Sequence, residues 1–363
     1  MGMSAAKAVI TGIGSVSALG ALRGLVVPRQ VEPGVVTGWP TNGQRRAYLV
    51  EPFRAGDVVP GLKTRRLDRL SVWSLVATSL ALQDAHLDLQ TEDRSRAAVV
   101  FGTGLGCLEL TEAFFQSMAE NGCAKADPII FPETLCSSPA SHVARVLGLR
   151  GPNITASCKG ISGEAALLQA ASLLGSGEAD LAVALAGDTL TRTLYEWCDA
   201  ASVGFVPGEG LAAVILEAGH RRLDRGARVY AAWRSGFMAT DPQATDTSWG
   251  SGCGLTVELI RKALGDSPPS EVKLVISSAN GSPGLDRLEA QAIAEVFGAS
   301  GAPDIATPKA VSGEFDGSGI LRLVLALSGM GTRQPRHRLQ NGLTLLLGAA
   351  AGGGRAVLSL EAA

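Results

Sequence analysis

The chain has 363 residues, of which 46% are hydrophobic and only 5% aromatic. That is enough for one large α/β domain or two fused halves with buried cores. With 32 basic against 34 acidic residues, nothing in its overall charge draws it to nucleic acid or an anionic membrane surface.

The first residues lead directly into an apolar run at 8–10, with no charged-then-apolar leader, so no signal peptide is expected. Further short apolar runs with Gly-rich exits stand at 97–101, 181–186, 211–216, 272–276, 343–347 and 356–360. Several are apolar at every position, as strands covered on both faces require. Between them Leu67, Leu70, Trp73, Leu80 and Leu82 form a helical stripe. Residues 165–174 read as a small-residue helix suited to complete burial. Residues 30–60 and 239–254, rich in Gly, Pro and polar side chains, read as irregular surface. Strand–helix alternation gives an α/β class.

No apolar stretch reaches about 18 uninterrupted residues, so no membrane span is expected. The cysteines at 107, 123, 136, 158, 198 and 253 form no CxxC pair. They read as free thiols in a reducing, cytoplasmic setting, without a metal site. The glycines at 12 and 14, and at 102, 104 and 106, fall short of a GxGxxG loop and suit tight strand exits.

Six blocks carry a family resemblance. RGPNITASCKGISG at 150–163, followed by an Ala-rich helix and EADLAVALAGD at 178–188, resembles the nucleophile region of β-ketoacyl synthases. VITGIG at 9–14 and VVFGTG at 99–104 are similar to its first strands, and VGFVPGEG at 203–210 to a later strand start. SANG at 278–281, with Asp286, Glu289 and Ala290, resembles the segment of its first histidine. TPK at 307–309 and residues 313–319 resemble that of the second. The resemblance implies a thiolase-like layered αβαβα fold of two related halves, 1–220 and 221–363, forming one compact, dimeric unit.

Active members of that family place a cysteine at the start of a buried helix, where the dipole and backbone amides favour a thiolate. Two histidines then assist decarboxylation of the malonyl group. Counting back from Ser162 and Gly163, the nucleophile seat holds Gly160; the histidine seats hold Asn280 and Glu314. Of the charged set Lys309 is retained, and the four histidines (86, 142, 220, 337) lie elsewhere. The stretch between Asp188 and Gly204 is shorter than in the family, and its Gly-Phe-Gly-Gly turn reads GAAAG at 348–352, without the aromatic.

The resemblance therefore implies a catalytically silent subunit similar to the chain-length factors of type II polyketide synthases. Such a subunit pairs with an active ketosynthase, meets an acyl carrier protein through that complex, and needs no cofactor or metal. Those factors carry glutamine in the seat; glycine here is a departure. By the same resemblance the helix after Gly106 lines an acyl tunnel with Leu110, Thr111, Phe114, Phe115 and Met118, or is simply core packing. Ile129, Ile130, Phe131 and Leu135 fall in the segment that crosses the dimer interface.

Two other readings stay open. Cys158, beside Lys159, is either a buried inert thiol or a displaced nucleophile. Asn280, Lys309 and Glu314 either preserve the old pocket through an ion pair or form a repurposed site. The second option in each case describes a free-standing acyltransferase or thioester hydrolase.

Overall fold

The computed structural model describes residues 8–26, 31–36, 39, 46–219, 227–298, 302–331 and 342–362. The expected boundary at 220/221, and His220 and His337, lie outside the described residues.

Ten strands carry the architecture. The first five are β1 (Ala8–Ser17), β2 (Ala97–Gly102), β3 (Asn153–Ala156), β4 (Leu181–Asp188) and β5 (Gly210–Ala218). The second five are β6 (Ala231–Thr240), β7 (Val272–Ile276), β8 (Asp304–Ala306), β9 (Leu343–Ala350) and β10 (Gly354–Glu361). They lie in the order β8-β7-β9-β10-β6-β1-β5-β4-β2-β3. Each half repeats one pattern. Its third, second and fourth strands run parallel, its fifth is antiparallel to the fourth, and its first is antiparallel to the fifth. Strand pairing joins the halves where β1 meets β6, at Val9 with Ala232 and Ile10 with Ala231. Beyond them β1 pairs instead with a short hairpin strand, Gly20–Arg23, so the sheet forks.

The helices complete five layers. α1 (Arg69–Asp84) and α3 (Ser138–Leu147) cover the outer face of the first half, and α6 (Gly254–Leu264) and α7 (Pro283–Phe297) that of the second. Between the sheets lie α4 (Ser162–Gly175) and α9 (Gly319–Leu327). Strand alternation explains the fit. In β4 Leu181, Val183 and Leu185 fill the outer core, while Ala182, Ala184 and Ala186 face the central layer. Small side chains on that face let the central helices approach. Where α4 and α9 cross, a Cβ on Gly163 would stand 2.7 Å from the Gly319 nitrogen, so only glycine fits.

The expected strands form; the one at 272–276 keeps its bounds, and the others extend by one to several residues. Three were missed: β3 is short and partly exposed, β8 has three residues, and β6 mixes Arg, Ser and Gly into its sequence. The expected stripe on α1 is instead buried on nearly all sides, because α3 and residues 50–62 cover what the sheet does not. Residues 239–240 and 254 of the expected loop belong to β6 and α6. The GAAAG turn is also re-placed: residues 348–350 still pair in β9, and the tip is residues 351–353.

Candidate functional site

Strand β3 ends at Ala156, and a tight turn at Lys159–Ile161 feeds α4. Ser162 ties this turn: its hydroxyl accepts from the Cys158 amide at 2.9 Å and lies 2.7 Å from the Lys159 carbonyl. Lys159 takes a left-handed φ of 49°, unusual for a side-chain-bearing residue. Gly160 is buried, and the space a side chain needs is already filled. A Cβ there would lie 2.6 Å from the Ala349 carbonyl oxygen and 3.2 Å from the Ala350 Cα, both backbone atoms of β9.

Cys158 packs against a small apolar cluster of Ile161, Ala350, Ala356 and Met238. Burial pushes its thiol pKa up, which disfavours the thiolate. Among the described residues no histidine approaches this turn with a hydrogen bond: His142 lies on α3, bonded to Glu133 and Arg145.

The structure brings the other three predicted residues together. Lys309 opens α8 (Lys309–Ser312), Glu314 follows it, and Asn280 lies in the loop after β7. The Lys309 ammonium and the Asn280 amide each donate to the same Glu314 oxygen, Oε2, at 2.6 Å. Lys309 is 1% exposed and Glu314 10%, so water screens this pair little. Asn280 is held in turn: its Oδ1 accepts from the Ser282 amide at 2.9 Å, and the Asp286 carboxylate accepts from its backbone N–H at 3.0 Å. Glu314 itself is fixed by backbone bonds to Val206 and Gly208. The Lys309 and Glu314 charges thus offset each other, with Asn280 adding a second donor to the same oxygen.

Two carboxyl groups beside this pair were not foreseen. Asp188, fully buried at the end of β4, accepts from the Thr103 hydroxyl at 2.5 Å and from the Gly104, Leu105 and Gly317 amides. Burial pushes its pKa up, while those bonds oppose the shift. Asp316 packs against Gly104, where a Cβ would fall 2.2 Å from its Oδ2. Burial, then Asp188 and Glu314, push Asp316 up to about 7, opposed by Lys309 and Lys159. The sequence signal was an aspartate within the Gly-rich run GEFDGSG at 313–319.

The expected tunnel residues lie on α2 (Leu108–Asn121), a helix that buries only Phe114. Leu110, Thr111 and Met118 are half-buried, and Phe115 is 59% exposed. The helix is tied down by polar bonds: Asp68 accepts from the Leu110 amide at 3.1 Å, and Thr111 donates to the Thr134 carbonyl at 3.1 Å. The expected interface segment folds back onto it. Phe131 packs at a tilt against Phe114 with ring centroids 5.8 Å apart, and Phe115 meets Phe114 edge-on at 5.7 Å. Ile129, Phe131 and Leu135 stay exposed, and Ile130 half-buried. One aromatic cluster thus joins the two predicted residue sets at the surface.

Among the described residues no group of three or more His, Cys, Asp or Glu is placed to hold a metal ion, and no helix is long and apolar enough to cross a membrane.

Comparison with known proteins bears on this arrangement. A 3-oxoacyl-[acyl-carrier-protein] synthase 2 of Vibrio cholerae is 27% identical over 348 residues, covering 87% of this chain and 84% of that protein. The ishigamide ketosynthase/chain length factor superposes with a TM-score of 0.83 at 20% identity, over 99% of both chains. A type II polyketide synthase ketosynthase, solved with its acyl-carrier protein and bound to the hexaketide, gives 0.82 at 19% identity, over 99% of this chain and 100% of that one. The family model for the N-terminal domain of β-ketoacyl synthases matches residues 29–221, more than half of the sequence. The chain belongs to the β-ketoacyl synthase family.

Proposed function

We propose that this chain is a catalytically silent member of its family, a chain-length-factor-like subunit. It pairs in the cytoplasm with an active ketosynthase and shapes the acyl tunnel of a polyketide, polyene or fatty-acyl product. In this reading residues 1–220 and 221–363 are the two halves of one unit.

One observation carries the proposal: the Ala349 carbonyl fills the space a side chain at Gly160 would need. A nucleophile seat that is empty and also closed cannot take an acyl group. The rest of the pocket supports the same reading. Asn280 and Lys309 each give a donor to Glu314, and that carboxylate offsets the Lys309 charge that would favour an enolate. An incoming malonyl carboxylate would meet a carboxylate where the family has a histidine.

Two features support pairing. Phe115, Ile129, Phe131 and Leu135 expose a contiguous apolar surface around α2. β3, hydrogen-bonded to β2, ends the sheet order and bounds the same side of the molecule through α3. In this reading Phe114 and Phe115 stop the acyl chain, Leu110, Thr111 and Met118 line its path, and Ile129, Ile130, Phe131 and Leu135 meet the partner. An acyl carrier protein reaches the pair through the synthase.

The test is co-expression with a synthase that keeps its cysteine and both histidines and is encoded beside this chain. Co-purification, with the synthase losing activity or changing product length when alone, is the expected result. Separate proteins and a fully active lone synthase would sink the proposal. An acyl adduct on this chain that Cys158→Ala abolishes would favour the free-standing enzyme instead.

A further inference from the structure

Two lone charges interrupt helices that are otherwise nearly apolar. Glu164 stands in the first turn of α4, in SGEAALLQAASLLG, and Arg322 in the middle of α9, in GILRLVLAL. Both side chains are 0% exposed, and Arg322 Nη2 donates to Glu164 Oε1. Through Nη1 the same guanidinium donates to the Ser277 carbonyl at 2.9 Å and the Leu347 carbonyl at 2.7 Å.

Those partners are distributed with respect to the emptied site. Glu164 lies four residues past Gly160, and Ser277 three before Asn280. Leu347 lies two before Ala349, and Arg322 is on the helix that follows Glu314. The fork therefore joins the segments that carry all three seats, and the strand whose carbonyl closes the first. Glu164 is wedged in place: a Cβ on Gly319 or Gly348 would come within 2.5 or 2.8 Å of its carboxyl oxygens.

The pair is also poorly optimised as a source of stability. Glu164 Oε2 and Arg322 Nε have no hydrogen-bond partner. A buried ion pair with orphan atoms does not recover its desolvation cost, so apolar replacement of both residues leaves stability level or raised. What apolar side chains cannot supply is registry. Beyond the close Gly163–Gly319 contact, the central faces of α4 and α9 are Ala, Leu, Ile and Val, whose packing is not directional.

We infer that Glu164 and Arg322 are positioning residues that lock the two central helices against β7 and β9, and so hold the β9–β10 hairpin closed over Gly160. The inference rests on the closed seat described above and not on the partner role.

The test is the double variant Glu164→Leu/Arg322→Met. Its readouts are the thermal midpoint and the rate at which iodoacetamide labels Cys158 in the native protein, followed peptide by peptide. The midpoint should hold while Cys158 labels about tenfold faster, as expected when a local opening becomes one decade more frequent. Amide exchange at residues 159–162 and 348–352 should rise with it. Glu164→Gln, which keeps an acceptor for Nη2, should leave labelling close to that of the parent. Unchanged labelling in a folded double variant overturns the inference.

If that variant does not fold, Arg322→Lys decides. It keeps the charge but loses the fork, so faster labelling supports the inference and parental labelling overturns it. Failure of the partner role would look different, as a missing complex with Cys158 labelling unaffected.

Discussion

Restoring a thiol to the nucleophile seat, by Gly160→Cys, should damage the protein and give no enzyme. The new Cβ would stand 2.6 Å from the Ala349 oxygen, whereas ordinary contact begins near 3.4 Å. The shortfall of about 0.8 Å must be met by backbone, since no flexible side chain is at hand. Ala349 pairs with Arg355 in the β9–β10 hairpin, so its carbonyl cannot swing aside alone. Overpacking costs about 1–3 kcal/mol, and a clash with fixed backbone belongs at the upper end. At about 1.3 °C per kcal/mol for a chain of 363 residues, the midpoint should fall by about 4 °C. Gly160→Ala separates shape from chemistry, because it adds the same Cβ without sulfur and should lose as much. The assay is thermal unfolding of both variants, with intact-mass measurement after incubation with an acyl thioester. A Gly160→Cys protein that keeps the parent midpoint, or gains an acyl adduct at position 160, would refute the reasoning.

Asp316 supplies a pH test. Its folded pKa of about 7 lies above the ordinary 3.8, so the fold favours the protonated form. The associated stability is fully present below the ordinary value and is lost as pH rises through about 7. The shift sets a ceiling of about 4 kcal/mol, which partial exposure reduces to about 2. Asp316→Asn should therefore match the parent near pH 4 and exceed it at pH 8 in denaturant titrations. A uniform offset at both pH values would contradict this.

Lys309→Met leaves Glu314 buried without its cation and should cost about 3–5 kcal/mol, while Lys309→Met/Glu314→Leu recovers most of the loss; equal loss in both variants would count against a buried pair. Phe114→Ala should cost about 3 kcal/mol in the isolated chain, whereas Phe115→Ala should change it by less than about 0.5 kcal/mol. In the complex, loss of the Phe115 ring should weaken association or lengthen the product.

How legible the molecule was in its sequence varied with scale. The mostly apolar runs located every strand that is buried along its length, because such strands leave little room for polar side chains. β3 and β8 escaped because these edge strands are short, and β6 because its faces are only partly buried beyond Ala231 and tolerate Arg234 and Gly236. Counting along the nucleophile motif reached Gly160, but not the reason only glycine fits, which depends on the distant Ala349. Asn280, Lys309 and Glu314 were named from separate segments, and their convergence on one oxygen needed the fold. Asp188 and Asp316 were passed over because a carboxylate's surroundings decide its role. Glu164 and Arg322 did leave a signal, a single charge of opposite sign in each of two otherwise apolar helices.

Covalent loading of the assembled pair tests the central claim most directly. The chain and its neighbouring intact synthase would be purified together, incubated with an acyl-carrier thioester, and weighed first as the native complex and then as separated subunits. The account predicts one copy of each subunit and a single acyl group, carried by the synthase alone. A homodimer of this chain bearing its own acyl group would contradict it.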